Sequence, residues 1–252
     1  MTNLYKAQLA VGGTSLAGFP IGVLHLASTY PLLPGNAQHA ASYPGPVLFE
    51  EVPIDDVWAL MNGEDAVGEA MVEAAKRLQD RGVRAIVGAC GSFAYYQKQA
   101  AASLDVPIFT SVLTQVPFLL SALGKNRLGI ICASESSMNA RIYEQCAIDH
   151  PERLVIRQMK GTAQFDKMLT GVEPLDPKQF EQETTEVAMQ LAREAGDLGA
   201  ILLQCSDLPP FAHAIQTATG LCVFDAVTLA RSVMSSAGYA PYKGAYRTQV
   251  LS

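Results

Sequence analysis

Two cysteines in similar surroundings, half a chain apart, are the residues of this sequence best suited to chemistry. Cys90 ends the apolar run 85–90, and Cys205 ends the apolar run 200–205. Each run has the length and composition of a buried strand. A thiolate can accept a proton and a thiol can return one. Two thiols on opposite sides of one carbon could therefore move a proton across that centre.

The similarity of the two cysteine segments continues along the chain as an internal repeat. At the offset of 115 positions that relates the first cysteine to the second, segment 106–112 falls on segment 221–227 without a gap. Further upstream, residues 22–24 resemble residues 129–131. A repeat places equivalent residues at equivalent points of two similar folding units. If those units face each other, the two thiols meet across one cleft.

Composition and charge exclude several classes of protein. The chain has 252 residues, of which 49% are apolar and 17% charged, with a net charge of −6 and a pI near 5.2. This balance argues against nucleic acid or an anionic membrane as the main partner. Neither a signal peptide nor an apolar run of membrane-spanning length is recognisable. We therefore expect a cytoplasmic protein that does not bind a membrane.

The spacing of cysteines and histidines indicates neither disulfides nor a metal. The five cysteines are an odd number and are widely separated, and the four histidines show no ligand spacing. No C-x-x-C pair is present, so neither a disulfide framework nor a zinc site is indicated. We expect free thiols and no bound metal.

Strand-like and helix-like segments alternate throughout, which predicts an α/β fold with a parallel sheet covered by helices on both faces. Strands are expected at 21–26, 85–90, 106–109, 128–133 and 200–205, with a further one from 223. Helices are expected at 64–81, 93–104, 138–148, from 177, at 211–219 and at 227–236. Residues 28–46 are rich in Pro, Gly and Asn and predict a long loop that could act as a lid or binding segment.

The repeat also predicts the division of the chain. The first α/β domain is expected to comprise residues 1–122 together with 225–252, because the last helix must return to cover the first sheet. The second is expected to comprise residues 123–224.

The residues beside the two cysteines suit an anionic substrate. Ligands of parallel sheets bind beyond the carboxyl ends of strands, and both cysteines stand there, before a predicted helix. Free N–H groups at a helix start stabilise negative charge, so we expect a lowered thiol pKa and a seat for a substrate carboxylate. The flanking residues Gly91, Ser92, Ser206 and Asp207 leave the backbone approachable or add donors. Ser28, after the first strand, is a further candidate for substrate contact.

The segments 88–92, 203–207 and 223–227 resemble those of the aspartate/glutamate racemase superfamily, and the resemblance covers nearly the whole chain. That superfamily includes amino-acid and hydantoin racemases, maleate isomerases and arylmalonate decarboxylases. The resemblance implies two pseudo-symmetric Rossmann-like three-layer domains with the active site in the cleft between them, no pyridoxal phosphate or other cofactor, and a homodimer.

The resemblance also implies roles for individual residues. Cys90 and Cys205 would be the acid/base pair. The carboxylate pocket would be lined by Ser92, Ser206 and three serines of one turn, which are Ser134, Ser136 and Ser137.

Two positions depart from the superfamily pattern. Gly91 stands where amino-acid racemases commonly have Asn, and Asp207 stands where they commonly have Glu or His. The second departure argues against a glutamate racemase and leaves the substrate open.

The sequence thus predicts a cofactor-independent racemase or epimerase of a small carboxylate substrate, either an amino acid such as aspartate or glutamate or a derivative such as a hydantoin. One alternative is an isomerase or decarboxylase of a dicarboxylic acid that uses a single cysteine, although the presence of both cysteines argues against a decarboxylase. A second alternative is a two-lobed binding protein without chemistry. A third is a redox switch formed by the two cysteines.

Overall fold

The computed structural model describes residues 18–54, 57–171 and 173–238. The strands are β1 (Ile21–His25), β2 (Val47–Glu51), β3 (Ala85–Gly88), β4 (Ile108–Phe109), β5 (Arg127–Cys132), β6 (Leu154–Gln158), β7 (Leu198–Leu203) and β8 (Cys222–Phe224). The helices are α1 (Val57–Asn62), α2 (Asp65–Asp80), α3 (Gln97–Ala102), α4 (Val116–Ala122), α5 (Ala140–Gln145), α6 (Ala163–Thr170), α7 (Pro177–Ala195), α8 (Ala212–Thr219) and α9 (Ala226–Ala237).

The strands form two four-stranded sheets with the same internal order. The first sheet runs β2-β1-β3-β4 and the second runs β6-β5-β7-β8. Every neighbouring pair is parallel. The predicted α/β fold with parallel sheets is confirmed, and the repeat read from the sequence corresponds to two sheets of equal topology.

Helix α2 packs closely on strand β1. Its buried face includes the apolar stripe that the sequence predicts, namely Val67, Met71, Ala74, Ala75 and Leu78. A Cβ atom built on Gly22 of β1 would stand 2.7 Å from a methyl carbon of Leu78, so a side chain at position 22 would force Leu78 to shift.

The predicted start of helix α7 is confirmed. Asp176 accepts hydrogen bonds from the backbone N–H groups of Lys178 (3.0 Å) and Gln179 (3.2 Å), and Pro177 occupies the first helical position. Both features satisfy or remove N–H groups that a helix start leaves without partners.

The segment after Cys90 differs from its predicted helix. Gly91–Tyr96 forms a buried 3₁₀ turn, and the regular helix α3 begins only at Gln97. A tight 3₁₀ turn is common at the start of a helix. Strands β2 and β6 and helices α1, α4 and α6 were not predicted. Both of these strands are sheet edges and carry charged residues, such as Glu50 and Arg157, which obscure an apolar pattern.

The last helix lies against the first sheet. Helix α9 contacts β1 and β3, and Leu229 and Ala230 on it are buried. Its start is fixed by a capping box in which Asp225 accepts from the Thr228 N–H at 2.7 Å, while the Thr228 hydroxyl accepts from the Asp225 N–H at 2.8 Å. The exact domain boundaries stay a prediction, and their outer parts fall on residues 1–17 and 239–252, outside the described residues. None of the described helices combines the length and apolar character that crossing a bilayer requires.

Candidate active site

A cavity of about 340 Å³ lies where strands of both sheets end. Its lining includes Ser28, which follows β1, Cys90, which follows β3, and Cys205, which follows β7. This is the carboxyl edge at which parallel sheets bind their ligands. The volume suits a small molecule.

Cys90 is half-buried in this cavity. Burial raises the pKa of its thiol to about 11, and the charge of Asp207 adds to the rise. The backbone N–H groups of Ser92 and Phe93 and the Ser92 hydroxyl act in the opposite direction because they stabilise a thiolate. The sequence predicted donors of this kind, but they lower the pKa of Cys90 by less than burial raises it.

Cys205 is buried more deeply, with 8% of its surface exposed. Burial raises the pKa of its thiol well above the usual value, and the neighbouring charge of Asp207 raises it further. The expectation that a helix start lowers both thiol pKa values is therefore wrong. Removal of water from the sulfur outweighs the few N–H groups that the short turns offer.

Asp207 connects the second cysteine to the 28–46 loop. Its Oδ1 atom accepts from the Tyr30 hydroxyl at 2.9 Å and from Asn36 Nδ2 at 2.6 Å, and its Oδ2 atom accepts from Cys205 Sγ at 3.4 Å. Burial raises the pKa of Asp207, and these three hydrogen bonds oppose the rise. All three partners donate, which is the arrangement that suits an ionised carboxylate.

The 28–46 loop is held across the cleft by further contacts. The Ala37 N–H donates to the Ser206 carbonyl oxygen at 3.2 Å, and Gly35 packs against Pro210. A loop that leaves the first sheet therefore forms part of the wall beside the second cysteine.

The side chain of Gln38 in this loop is hydrogen-bonded within the first half of the chain. Gln38 donates through Nε2 to the Ser28 hydroxyl at 2.5 Å, and its Oε1 atom accepts from the Leu26 N–H at 3.0 Å.

An apolar wall closes the other side of the cavity. It comes from two helices that follow the edge strands β2 and β6 in the two halves, and it consists of Leu60 and Met61 from α1 with Phe165, Met168 and Leu169 from α6. Leu169 is 58% exposed, which is unusual for a leucine and places apolar surface at the cavity.

The described lining of the cavity carries negative charge without a compensating positive charge. Among the described residues that line the cavity, none is Lys, Arg or His, and Asp207 is the one acidic side chain. A substrate with two carboxylates would thus meet no cationic side chain there.

The predicted site residues fall into two groups. The cavity lining contains Cys90, Cys205, Ser28, Gly91, Ser92, Ser206 and Asp207. The serines of the turn after β5 are not part of it. Ser134 and Ser136 bond to each other at 2.9 Å, and Ser137 donates to the Ser134 carbonyl oxygen at 2.6 Å. None of the three serines lines the cavity, so their role in binding a carboxylate stays a prediction.

Several lining residues were not found from the sequence. Tyr30, Gln38 and Gln204 line the cavity, as do the apolar residues of α1 and α6. The long 28–46 loop indicated the region that contains Tyr30 and Gln38. Gln204 was recognisable only as a polar residue that interrupts an apolar strand.

A larger groove, of about 510 Å³, lies between α4 and α9 and is lined partly by Phe109 and Phe118. It contains neither a cysteine nor a predicted site residue, so it is not the candidate active site. Within the described part of the chain, no three His, Cys, Asp or Glu side chains are grouped so as to hold a metal ion.

Comparison with known proteins identifies the family of the chain. The sequence model of the Asp/Glu/Hydantoin racemase family matches residues 21–232. Dimethylsulfoniopropionate lyase 3 of Emiliania huxleyi (strain CCMP1516) is 30% identical over 227 residues, which cover 86% of this chain and 59% of that lyase. The dimethylsulfoniopropionate lyase of Durusdinium sp. clade D is 30% identical over 218 residues, which cover 83% of this chain and 72% of that lyase. The chain thus spans about six-tenths of the length of the first relative.

Solved structures show the same fold at lower identity. A mutant of arylmalonate decarboxylase superposes with a TM-score of 0.61 at 20% identity, covering 88% of this chain and 95% of the decarboxylase. Allantoin racemase from Klebsiella pneumoniae superposes with a TM-score of 0.61 at 15% identity, covering 92% and 97% of the two chains.

Proposed function

This chain belongs to the Asp/Glu/Hydantoin racemase family, and we propose that it is a cofactor-independent racemase or epimerase acting at the carbon next to a carboxylate. One observation carries the proposal. Cys90 and Cys205 follow strands of separate sheets and line the same small cavity.

The reaction needs one thiolate and one thiol. The Cys90 thiolate takes the proton from one face of the α-carbon and becomes a thiol, which leaves an enolate-like anion on the substrate. Cys205 then donates its proton to the opposite face and becomes the thiolate. The proton count is conserved, and configuration is inverted because the two sulfurs approach from different sides.

The assignment of Cys90 as the resting base rests on hydrogen bonding. Cys205 Sγ donates to Asp207, and only the protonated thiol can make that bond. Cys90 instead receives the N–H groups of Ser92 and Phe93, which favour its thiolate.

The charge of the lining favours a substrate with a single carboxylate. Moving a second carboxylate out of water needs a compensating cation, and the lining near Asp207 offers none. Aspartate and glutamate, which carry two carboxylates, are thus less suitable than an amino acid with one carboxylate or a neutral hydantoin, in which a ring carbonyl replaces the carboxylate. A binding protein without chemistry would not require a thiol on each side of the ligand.

A β-elimination lyase is the second candidate, and the two relatives named dimethylsulfoniopropionate lyase favour it. The first step is the same proton abstraction. The electrons of the C–H bond then form a C=C bond, the group on the β-carbon departs with its bonding electrons, and the thiol later releases its proton to water. This reaction needs only one thiol base.

Incubation in heavy water with a panel of carboxylates separates these functions. The panel should contain hydantoins, single enantiomers of amino acids and dimethylsulfoniopropionate, followed by NMR. Racemisation predicts deuterium at the α-carbon together with loss of optical activity. Elimination predicts an alkene and a released thioether. A panel that gave neither deuterium exchange nor product would contradict both functions.

A further inference from the structure

We propose that Gln204 is a substrate-binding residue whose side-chain amide donates to the substrate oxygen that gains charge when the neighbouring carbon loses its proton. That oxygen belongs to a carboxylate or, in a hydantoin, to a ring carbonyl. The inference rests on the proposed function in taking the cavity of Cys90 and Cys205 as the place where the proton is removed.

The cavity has to stabilise that charge with neutral groups, because its described lining contains no Lys, Arg or His. N–H and O–H groups aimed at the oxygen can supply the stabilisation. Two side-chain donors of the lining already have acceptors. The Tyr30 hydroxyl donates to Asp207 at 2.9 Å, and Gln38 Nε2 donates to the Ser28 hydroxyl at 2.5 Å. Gln204 is the other glutamine of the lining, and its amide has no such partner.

Gln204 is buried although its amide is unpaired. It interrupts the apolar run 200–205, and only 3% of its surface is exposed. Its backbone N–H donates to the Ile131 carbonyl oxygen at 2.8 Å, but its side-chain amide makes no hydrogen bond to any other described residue. A buried amide without a partner costs free energy, and nearly all such groups in native proteins are paired. A ligand oxygen in the cavity would complete this one.

The amide of Gln204 stands between the two cysteine segments. Its Nε2 and Cδ atoms lie closest to a Cβ atom built on Gly91, the residue after Cys90, while its own backbone leads directly into Cys205. At the equivalent position of the repeat the first half has Ala89, so the cavity receives this amide from one half only. A donor on one side suits a substrate whose oxygen-bearing group points to one side of the carbon between the thiols.

Two probes of similar shape, cyclohexanecarboxylate and cyclohexanecarboxamide, test the proposal without turnover. Their ring suits the apolar wall, and their polar groups differ in charge and in N–H donors. In proton–nitrogen NMR spectra of the wild-type protein at pH 8, the side-chain amide signals of Gln204 are those that Gln204→Met lacks. Cyclohexanecarboxylate should shift them, because N–H bonds to a carboxylate are strong. Signals that stay in place at the highest soluble concentration would overturn the proposal.

Affinities measured by calorimetry give a test that a packing role alone would not pass. Gln204→Met keeps the length of the side chain but removes its donors, so the dissociation constant of cyclohexanecarboxylate should rise at least about tenfold. Gln204→Glu presents acceptors instead, and the carboxamide, which can donate to them, should then bind more tightly than the carboxylate. Equal affinity of the wild type and Gln204→Met for cyclohexanecarboxylate would contradict the proposal.

Gln115→Met is the matched control. Gln115 also carries a buried Nε2 atom without a hydrogen-bond partner, but it lies at the groove between α4 and α9. This variant should keep the wild-type affinities for both probes, and circular dichroism establishes that each variant is folded. If Gln115→Met weakened binding as much as Gln204→Met, the effect would not depend on the cavity amide and the proposal would be rejected.

Kinetics add a test on any panel compound that turns over. Gln204→Met should lower kcat about 100-fold and change KM less, because the hydrogen bonds strengthen as charge develops on the oxygen. Deuterium exchange by the wild type, combined with Gln204 signals that no probe shifts, would reject the role of Gln204 and keep the proposed reaction. Shifted signals without exchange of any panel compound would reject the reaction and support the binding role.

Discussion

Gly91 lies directly against Gln204, so the residue after the first cysteine contacts the residue before the second. A Cβ atom built on Gly91 would stand 2.7 Å from the carbonyl oxygen of Gln204 and closer still to its side-chain amide. The segments that carry the two cysteines are therefore packed against each other, with no room for a side chain at position 91.

Gly91→Ala should disrupt this contact. The added methyl group must push the two segments apart, which we expect to destabilise the protein by about 1–3 kcal/mol and to reduce turnover at least about 100-fold. Gly45→Ala is the control, since the nearest atom to its Cβ is the Met234 sulfur at 3.8 Å. Urea unfolding and turnover assays measure both effects. Unchanged turnover in a folded Gly91→Ala variant would show that thiol separation is not critical.

The two cysteines should both be required for racemisation. Cys90→Ser and Cys205→Ser should each reduce racemisation by about 100-fold to 10,000-fold, because a serine hydroxyl is a far weaker base at neutral pH. Cys222→Ser, at an exposed cysteine, should behave as wild type. If only one of the two cavity variants lost activity, the one-thiol elimination would replace the two-thiol reaction.

The rate should rise with pH. Because burial raises the pKa of Cys90 to about 11, only a small fraction of the unliganded enzyme carries the thiolate at pH 7. The value of kcat/KM reports on the free enzyme, and we expect it to rise about tenfold per pH unit between pH 7 and 10 for a substrate that does not titrate there. A hydantoin analogue without a titrating N–H serves as that substrate. A profile that is flat from pH 6 to 9 would contradict a raised pKa.

Tyr30→Phe should shift the titration of Asp207. The Tyr30 hydroxyl donates to Asp207 and lowers its pKa, so its loss should raise that pKa further. Asp207 then takes up its proton at a higher pH. NMR titration of the Asp207 carboxyl group as pH falls from 8 to 4 measures the midpoint.

Tyr43→Phe provides the matched control for that shift. Its hydroxyl donates to the Ala37 carbonyl oxygen at 2.5 Å, and Tyr43 does not line the cavity. Both variants should lose about 0.5–1.5 kcal/mol of stability with the hydrogen bond, but only Tyr30→Phe should move the pH midpoint. An equal midpoint in both variants would contradict the link between Tyr30 and Asp207.

The strand ends and the repeat could be predicted from sequence because they depend on local apolar patterns. The runs that end at Cys90 and Cys205 are mostly apolar, and each strand ends within two residues of its cysteine. The edge strands β2 and β6 were missed because edge positions tolerate charge, so their pattern is mixed.

The contacts of Asp207 could not be predicted in the same way. Its partners Tyr30 and Asn36 are 177 and 171 positions away, and no local pattern encodes a pairing over that distance. The direction of the thiol pKa shifts was also beyond a sequence argument. It depends on the balance between the exposure of the sulfur and the number of N–H groups aimed at it, and both are properties of the folded chain.

Two positions after Cys90 stands Ser92, whereas two positions after Cys205 stands Asp207. The two halves of the duplicated fold therefore present different side chains to the two enantiomers of a chiral substrate. Mirror-image molecules have equal free energy in water, so a racemase with unlike halves still produces a one-to-one mixture at equilibrium. The difference between the halves can appear only as a higher kcat for one enantiomer, together with a proportionally higher KM for that enantiomer.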